Sequence, residues 1–242
     1  MSYPVCFVSL GPGDAELITL KSLHALQEAE IIYCPSTRLK TGETLSRAAT
    51  LLHELGIKTG IRLFSLPMNK KRTEAMKVYQ QIFREIKQEQ AEGKRVAVAV
   101  EGDASVYASI HYVLDFLKES GTQVEQLPGI PSFIASGAVA QLHLIQQEER
   151  LVVIPGNVTG EELDRYLNNR HVPVIMKLSQ CSHIIKEYIK LHPQFSYYYF
   201  ENVSTAQAYH SCKIEELTKK DFPYFSLMII LNEQARKNGN QE

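Results

Sequence analysis

The chain has 242 residues, of which 44% are hydrophobic and 22% are charged, as is typical of a globular protein with one large domain or two ordinary ones. Its 26 basic and 27 acidic side chains nearly cancel, which excludes a bulk positive field that would attract nucleic acid or anionic lipid. We therefore expect a ligand that is recognised in a pocket, and no nucleic-acid partner.

The first half of the chain alternates predicted strands with predicted helices, because short β-rich runs are followed by apolar residues at helical spacing. In chain order, these elements are a strand at Val5–Leu10, a helix at Thr19–Ala29, a strand at Ile31–Tyr33, a helix at Glu43–Leu55, an extended segment at Ile61–Leu66, a helix at Thr73–Glu92, a strand at Arg95–Val100, a helix at Ser105–Lys118 and a strand at Val124–Leu127. The unbroken apolar run Val96–Val100 is typical of a strand that is buried on both faces of a parallel sheet. This pattern predicts a doubly wound α/β domain.

The second half has strands at less even separations. An Ala/Ser-rich helix after Pro131 is followed by predicted strands at Leu151–Ile154, Val172–Leu178, Phe195–Phe200 and Phe225–Leu231, with helices at Glu161–Leu167 and Ser182–Leu191. The tail from Glu233 is expected to be frayed. We therefore predict two α/β domains: residues 1–127 with a mostly parallel sheet, and residues 128–242 with a mixed sheet.

Three turns stand at the carboxyl ends of predicted parallel strands, at Gly11–Asp14, Glu101–Asp103 and Pro128–Ile130. Ligands of open α/β sheets bind in the crevice beyond those ends. A single glycine-containing loop usually does no more than turn the chain. Three such turns in one sheet, two of them with an aspartate, predict a small-molecule site.

Nucleotide phosphates fit this site poorly. The third glycine of a G-x-G-x-x-G motif is replaced by Glu16, and both Asp14 and Glu16 would repel a pyrophosphate. No Gly-Lys-Ser/Thr follows a glycine-rich stretch, no serine lies in a G-x-S-x-G turn, and the histidines form no HExxH pattern. A neutral or cationic ligand is favoured, and no metal is expected.

The cysteines indicate a reducing compartment. Cys6, Cys34, Cys181 and Cys212 lie far apart and form no CxxC motif. The N-terminus lacks the basic start of a signal peptide, and no apolar run approaches the ~20 residues that a membrane span needs. We expect a soluble, cytoplasmic protein with no membrane partner.

Taken in order, the three turns resemble the tetrapyrrole methylase family. The first family motif, GxGPGDxxLLTLKA, is matched from Leu10 to Lys21, and the second, GDPxxY, from Gly102 to Tyr107. The third, PGxSSFxAAAA, is matched from Pro128 to Ala138.

Later stretches are similar to the branch of this family that methylates C20 of precorrin-2 in cobalamin biosynthesis. They are Leu66–Met68, Glu149–Pro155, Val174–Lys177 and Pro223–Leu227. The resemblance thus covers nearly the whole chain, from about Tyr3 to Leu231.

The resemblance implies a homodimeric enzyme that binds S-adenosyl-L-methionine (SAM) in a cleft between two α/β domains and releases S-adenosyl-L-homocysteine (SAH). The implied reaction is methylation of C20 of precorrin-2 or cobalt-precorrin-2. Carried over by matched position, the residues that line the cofactor are Pro12, Glu101, Gly102, Asp103, Val106, Pro131, Ser132, Met176 and Val203. Asp103 would orient the cofactor or the substrate rather than attack it.

The implied substrate carries several carboxylates, so basic side chains are expected around it. The candidates are Arg38, Lys40 and Arg72, although solvated surface explains each of them slightly better. The sequence departs from the family pattern in three places. Ala104 replaces a proline, Pro131 replaces a small polar residue, and Gln141–Leu144 replaces a more usual Arg-Leu-Gly-Ile-Pro segment. Two alternatives stay open: a relative with another target, such as a different corrin position or ribosomal RNA, and a paralogue that binds SAM or tetrapyrrole without turnover.

Overall fold

The computed structural model describes residues 3–38, 43–58, 60–65 and 72–239. Its internal contacts divide the chain into two compact units, Met1–Pro131 and Ser132–Glu242. The division follows Pro131 rather than Leu127, because the turn after Leu127 is bonded to the first unit: the Gly129 N–H donates to the Asp103 carboxylate over 2.7 Å.

The first unit alternates strands and helices. In chain order, its elements are β1 (Val5–Ser9), α1 (Leu20–Glu28), β2 (Ile31–Arg38), β3 (Thr44–Leu45), α2 (Arg47–Glu54), β4 (Ile61–Ser65), α3 (Arg72–Ala91), β5 (Val96–Val100), α4 (His111–Glu119) and β6 (Val124–Leu127). The strand order is β3-β2-β5-β1-β6, with β4 also paired to β2. All pairings are parallel except that of β2 with β3, which confirms the mostly parallel sheet.

Helices cover both faces of this sheet. Phe7 and Val98 lie in a core formed with α3 and α4. Their chain neighbours Val8 and Ala97 lie in a second core, formed with α1 and α2. Successive side chains of β1 and β5 therefore point into opposite cores, as the continuous apolar run of β5 predicts.

Two helices begin later than their apolar spacing predicts. The helix predicted from Glu43 begins at Arg47, because Thr44–Leu45 pair with β2 as a short strand. The helix predicted from Ser105 begins at His111. Tyr107 has a φ of 50°, which is incompatible with a right-handed helix at that position.

The second unit has a mixed sheet, as predicted. In chain order, its elements are α5 (Ser132–Val139), β7 (Arg150–Ile154), α6 (Gly160–Asn168), β8 (His171–Met176), α7 (Ser182–Leu191), β9 (Ser196–Glu201), β10 (Tyr209–Ser211), α8 (Ile214–Leu217), β11 (Ser226–Leu231) and α9 (Glu233–Gly239). The strand order is β10-β9-β11-β8-β7, in which only β7 and β8 are parallel. Tyr197 and Tyr199 of β9 are buried in the core of this unit.

The expectation of a frayed tail from Glu233 is wrong, because α9 is held by side chains. The Asn232 side chain accepts a hydrogen bond from the Ala235 N–H over 3.1 Å at the start of the helix. Arg236 forms a two-pronged ion pair with Glu149, with Nε–Oε1 and Nη2–Oε2 distances of 2.8 Å. No helix in the described ranges is both long enough and apolar enough to cross a membrane.

Candidate functional site

The neighbouring strands β1 and β5 define a switch point in the first unit. The helix after β1 packs on one face of the sheet, whereas the helix after β5 packs on the other. The two chains therefore leave their strands in opposite directions and open a crevice at the carboxyl ends. The turns that were predicted to bind a ligand, Gly11–Asp14 and Glu101–Asp103, lie at this crevice.

Two glycines join these turns through their backbones. The Gly11 N–H donates to the Gly102 carbonyl over 3.1 Å, and the Gly102 N–H donates to the Gly11 carbonyl over 2.7 Å. Both residues have positive φ values, 78° and 71°, which glycine adopts without a steric penalty. A Cβ at Gly102 would meet no atom within 4 Å, so open space adjoins the backbone there.

Asp103 connects the β5 turn (Glu101–Asp103) to the β6 turn (Pro128–Ile130). One carboxylate oxygen accepts from the Gly129 N–H over 2.7 Å. The other accepts from the Ser105 N–H over 2.8 Å and from the Ser105 hydroxyl. Burial raises the pKa of Asp103, but the hydrogen bonds from Ser105 and Gly129 outweigh it and leave the pKa below its usual value. The carboxylate is thus held ionised as a bridge between two turns.

Ser9 also connects the ends of the three strands. This role is missed in the sequence analysis, because the only local signal is a polar residue at the end of an apolar strand. Its side chain is fully buried. The hydroxyl donates to the Leu127 carbonyl over 2.6 Å and accepts from the Ala104 N–H over 2.9 Å. A Cβ at Gly129 would lie 2.5 Å from the Cβ of Ser9 and 2.7 Å from the Gly102 carbonyl oxygen, so this close approach requires glycine.

The other acids of these turns have different environments. Asp14 is exposed and accepts from the Glu16 N–H over 2.9 Å, as the cap of a short 3₁₀ helix. Glu101 lies 3.5 Å from Arg47, measured between Oε2 and Nε. Burial raises the pKa of Glu101, and Arg47 lowers it by a smaller amount. Arg47 is a site residue that the sequence analysis missed.

The structure brings together part of the set that the resemblance implies. Pro12, Glu101, Gly102, Asp103, Val106 and Pro131 lie on the strand-end turns of the first unit. Ser132, Met176 and Val203 belong to the second unit: Ser132 begins α5, Met176 ends β8 and Val203 follows β9.

The predicted substrate-binding residues are only partly placed. Arg38 is the last residue of β2 and Arg72 the first of α3, so the backbone brings both to the carboxyl edge of the parallel sheet. Their side chains, and the whole of Lys40, lie outside the described residues. Among the residues described, no group of three or more His, Cys, Asp or Glu side chains is arranged to hold a metal ion.

Comparison with known proteins gives similar sequences in cobalamin biosynthesis. The chain is 31% identical over 170 residues to a probable cobalt-precorrin-2 C(20)-methyltransferase of Methanocaldococcus jannaschii, covering 70% of each chain. It is 26% identical over 235 residues to a precorrin-2 C(20)-methyltransferase of Sinorhizobium sp, covering 92% of this chain and 93% of the relative. It is also 28% identical over 233 residues to a cobalt-precorrin-4 C(11)-methyltransferase of M. jannaschii, covering 90% and 79%.

Solved structures share the fold. A uroporphyrin-III C-methyltransferase of Thermus thermophilus, complexed with S-adenosyl homocysteine, superposes with a TM-score of 0.64 at 22% identity and covers 97% of this chain and 100% of that one. Residues 4–218 match the family described as Tetrapyrrole (Corrin/Porphyrin) Methylases. With most of its length matched and its three glycine turns in the family's order, the chain belongs to the tetrapyrrole methylase family.

Proposed function

We propose that this chain is a SAM-dependent C-methyltransferase that methylates C20 of precorrin-2 or cobalt-precorrin-2 in cobalamin biosynthesis. The observation that carries the proposal is the crevice at the switch point, where the Gly11 and Gly102 turns cross-link and open space adjoins Gly102. The C20 position is favoured by the two C(20)-methyltransferases among the relatives.

The groups at the crevice fit SAM better than a phosphate-bearing cofactor. SAM carries a sulfonium and an ammonium but no phosphate, whereas these turns offer backbone groups and the carboxylate of Glu101. When bound, SAM supplies an electrophilic methyl group and is left as SAH. We assign its binding to the turn residues that the family resemblance implies, with Met176, Ser132 and Val203 as predicted contacts from the second unit.

Asp103 acts on this site by orienting its surroundings. Both of its carboxylate oxygens are already engaged by Gly129 and Ser105, and its pKa is lowered, so it is poorly suited to accept a proton. Its ionised form fixes the β6 turn against the β5 turn. A rigid site that aligns two reactants can supply roughly 7–11 kcal/mol of the barrier without a strong base.

Substrate recognition is assigned to basic side chains at the carboxyl edge of the first sheet. Arg38, Lys40 and Arg72 are the proposed partners of the tetrapyrrole carboxylates, because β2 and α3 bring Arg38 and Arg72 to this edge. We further propose a homodimer, as the family resemblance implies. A cytoplasmic location is favoured by four cysteines that form no disulfide.

A second candidate function is methylation at another corrin position. It is favoured by the cobalt-precorrin-4 C(11)-methyltransferase, whose alignment spans 90% of this chain. A paralogue that binds without turnover is the third candidate, and it is motivated by Ala104 and Pro131 at positions where the family has other residues.

One labelling experiment separates these candidates. The purified protein is incubated with SAM that carries a ¹³C-methyl group and with precorrin-2, in parallel with and without cobalt in the substrate. We expect a new ¹³C resonance from a methyl group on C20, and none when the protein is omitted. A methyl group at another carbon would replace the C20 assignment, and binding of both ligands without product would identify the paralogue.

A further inference from the structure

An ion pair between Arg47 and Glu101 lies beside the crevice of the first unit. Arg47 is the first residue of α2, and the start of this helix is fixed. The Ser46 hydroxyl accepts from the Ala49 N–H over 3.1 Å and donates to the Pro35 carbonyl of β2 over 2.7 Å. The guanidinium thus projects from a helix start that is anchored to the neighbouring sheet.

Among the described acidic side chains of these turns, Glu101 has the fewest hydrogen-bonding partners. Its side chain is 36% exposed, so Glu101 is only partly buried. Within the described parts of the chain, Arg47 is its only ion-pair partner, and it accepts no hydrogen bond. Because the Nε–Oε2 distance is 3.5 Å, the pair is a loose contact rather than a two-pronged fork.

The other acidic side chains of the neighbouring turns are either hydrogen-bonded within the protein or exposed to solvent. Asp103 binds Gly129 and Ser105, as described above. Asp14 caps a short helix and is exposed, as is Glu16. Glu101 therefore differs from these acids in combining partial burial with an unfilled carboxylate, a combination that favours a cationic partner.

We propose that Arg47 is a positioning residue that holds the ionised Glu101 carboxylate in place to bind a positive charge of the methyl donor. The inference rests on the proposed function, and it assigns to the Glu101 side chain a role beyond lining the site. SAM carries two positively charged groups, the ammonium and the sulfonium, and an ionised carboxylate attracts either of them.

The proposal has a consequence for pH. Burial raises the pKa of Glu101, and Arg47 opposes that rise. Protonation of Glu101 would remove its attraction for a cation, so donor affinity falls as pH falls through the Glu101 pKa. Removing the Arg47 charge raises this pKa further, so in an Arg47→Gln variant the same fall begins at a higher pH.

The test is calorimetric titration of the protein with SAM, SAH and 5′-methylthioadenosine from about pH 8 down to about pH 4, near the usual glutamate pKa. We expect Glu101→Gln to weaken SAM binding at pH 8 about tenfold, equivalent to about 1.4 kcal/mol. Loss of SAH affinity as well identifies the ammonium as the partner, whereas loss for SAM alone identifies the sulfonium. Binding of 5′-methylthioadenosine, which carries neither charge, is expected to stay unchanged.

Further variants keep the result interpretable. Arg47→Lys should largely restore the wild-type pH profile, and the double variant Arg47→Gln/Glu101→Gln should show no pH-dependent fall. Arg62→Gln removes a different arginine–glutamate pair of the same unit, that with Glu89, and should leave donor binding unchanged. Thermal unfolding of each variant identifies any that fail to fold.

Several results would overturn the proposal. They are wild-type affinity for SAM in Glu101→Gln, an unshifted pH profile in Arg47→Gln, and equal loss for 5′-methylthioadenosine, which would mean general damage to the site. Failure of the wild-type protein to bind SAM at all would instead refute the proposed function.

Discussion

Asp103 shows how a single side chain can join two turns that are distant in the sequence. Its three hydrogen bonds come from two segments of chain, the start of the loop before α4 and the turn after β6. From the sequence alone, an aspartate in a G-D motif is readily interpreted as a ligand-binding residue. The geometry indicates that the ionised carboxylate holds the turn after β5 and the turn after β6 at a fixed separation.

We predict that Asp103→Asn lowers the free energy of unfolding by about 2 kcal/mol at pH 7, because hydrogen bonds to a charged group are replaced by weaker or mismatched ones. The pKa of Asp103 is lowered in the folded protein. Its stabilising effect is therefore present above the usual aspartate pKa of about 4 and is lost as pH falls through the folded value. The difference between variant and wild type should shrink below about pH 4, as measured by urea denaturation at each pH.

Asp14→Asn is the matched control, because Asp14 is exposed and asparagine caps helices as well as aspartate does. Its free energy of unfolding should stay within about 0.5 kcal/mol of wild type at pH 7. An Asp103→Asn variant as stable as this control would contradict the bridging role.

For single residues, sequence analysis finds those whose residue type is unusual at that place. It misses those whose contacts in the fold are far away in the sequence. The glycines of the turns and Asp103 stand out because turn chemistry and motif order mark them. Ser9 and Arg47 do not, because nothing local shows that the Ser9 hydroxyl meets Leu127 and Ala104. Likewise, only the folded sheet brings Arg47 of α2 to Glu101 after β5.

At the scale of elements, α9 depends on a contact far away in the sequence. Arg236 packs with 7% of its side chain exposed against Glu149, which is 15% exposed, and also donates to the Leu144 carbonyl over 3.0 Å. Apolar spacing is weak in so short a helix, so the sequence indicates a frayed tail. A buried two-pronged pair supplies the stability that spacing does not show.

We predict that Glu149→Gln lowers the free energy of unfolding by about 3 kcal/mol, since it leaves the Arg236 charge buried without its partner. Urea denaturation measures the change. The adjacent Glu148→Gln is the control, because the Glu148 pair with Arg170 has side chains that are 83% and 49% exposed, and exposed pairs contribute little. Equal effects of the two substitutions would contradict the anchoring of α9.

Elements are predicted well where burial is uniform. The five residues of β5 are all buried, and their apolar run gives the strand within one residue. The prediction fails where a side chain competes with the helix: Ser105 binds the Asp103 carboxylate, and Tyr107 takes a left-handed conformation, so α4 starts only at His111.

At the scale of the molecule, the alternation of strands and helices predicts the fold class, because each crossover from one parallel strand to the next needs a helix. The order of strands is not given by that pattern. It is this order that makes β1 and β5 neighbours and brings Gly11 to Gly102. The order of the motifs supplies what the alternation does not, because the three turns in sequence indicate the tetrapyrrole methylase family without knowledge of the strand order.

The central claim is that the three strand-end turns of the first unit bind the methyl donor. The most direct measurement is a crystal structure of the protein grown with SAH. We predict ligand density against the Gly11–Asp14, Glu101–Asp103 and Pro128–Ile130 turns, with the Gly11–Gly102 bridge intact. Well-defined SAH density at a place that contacts none of these turns would contradict the claim.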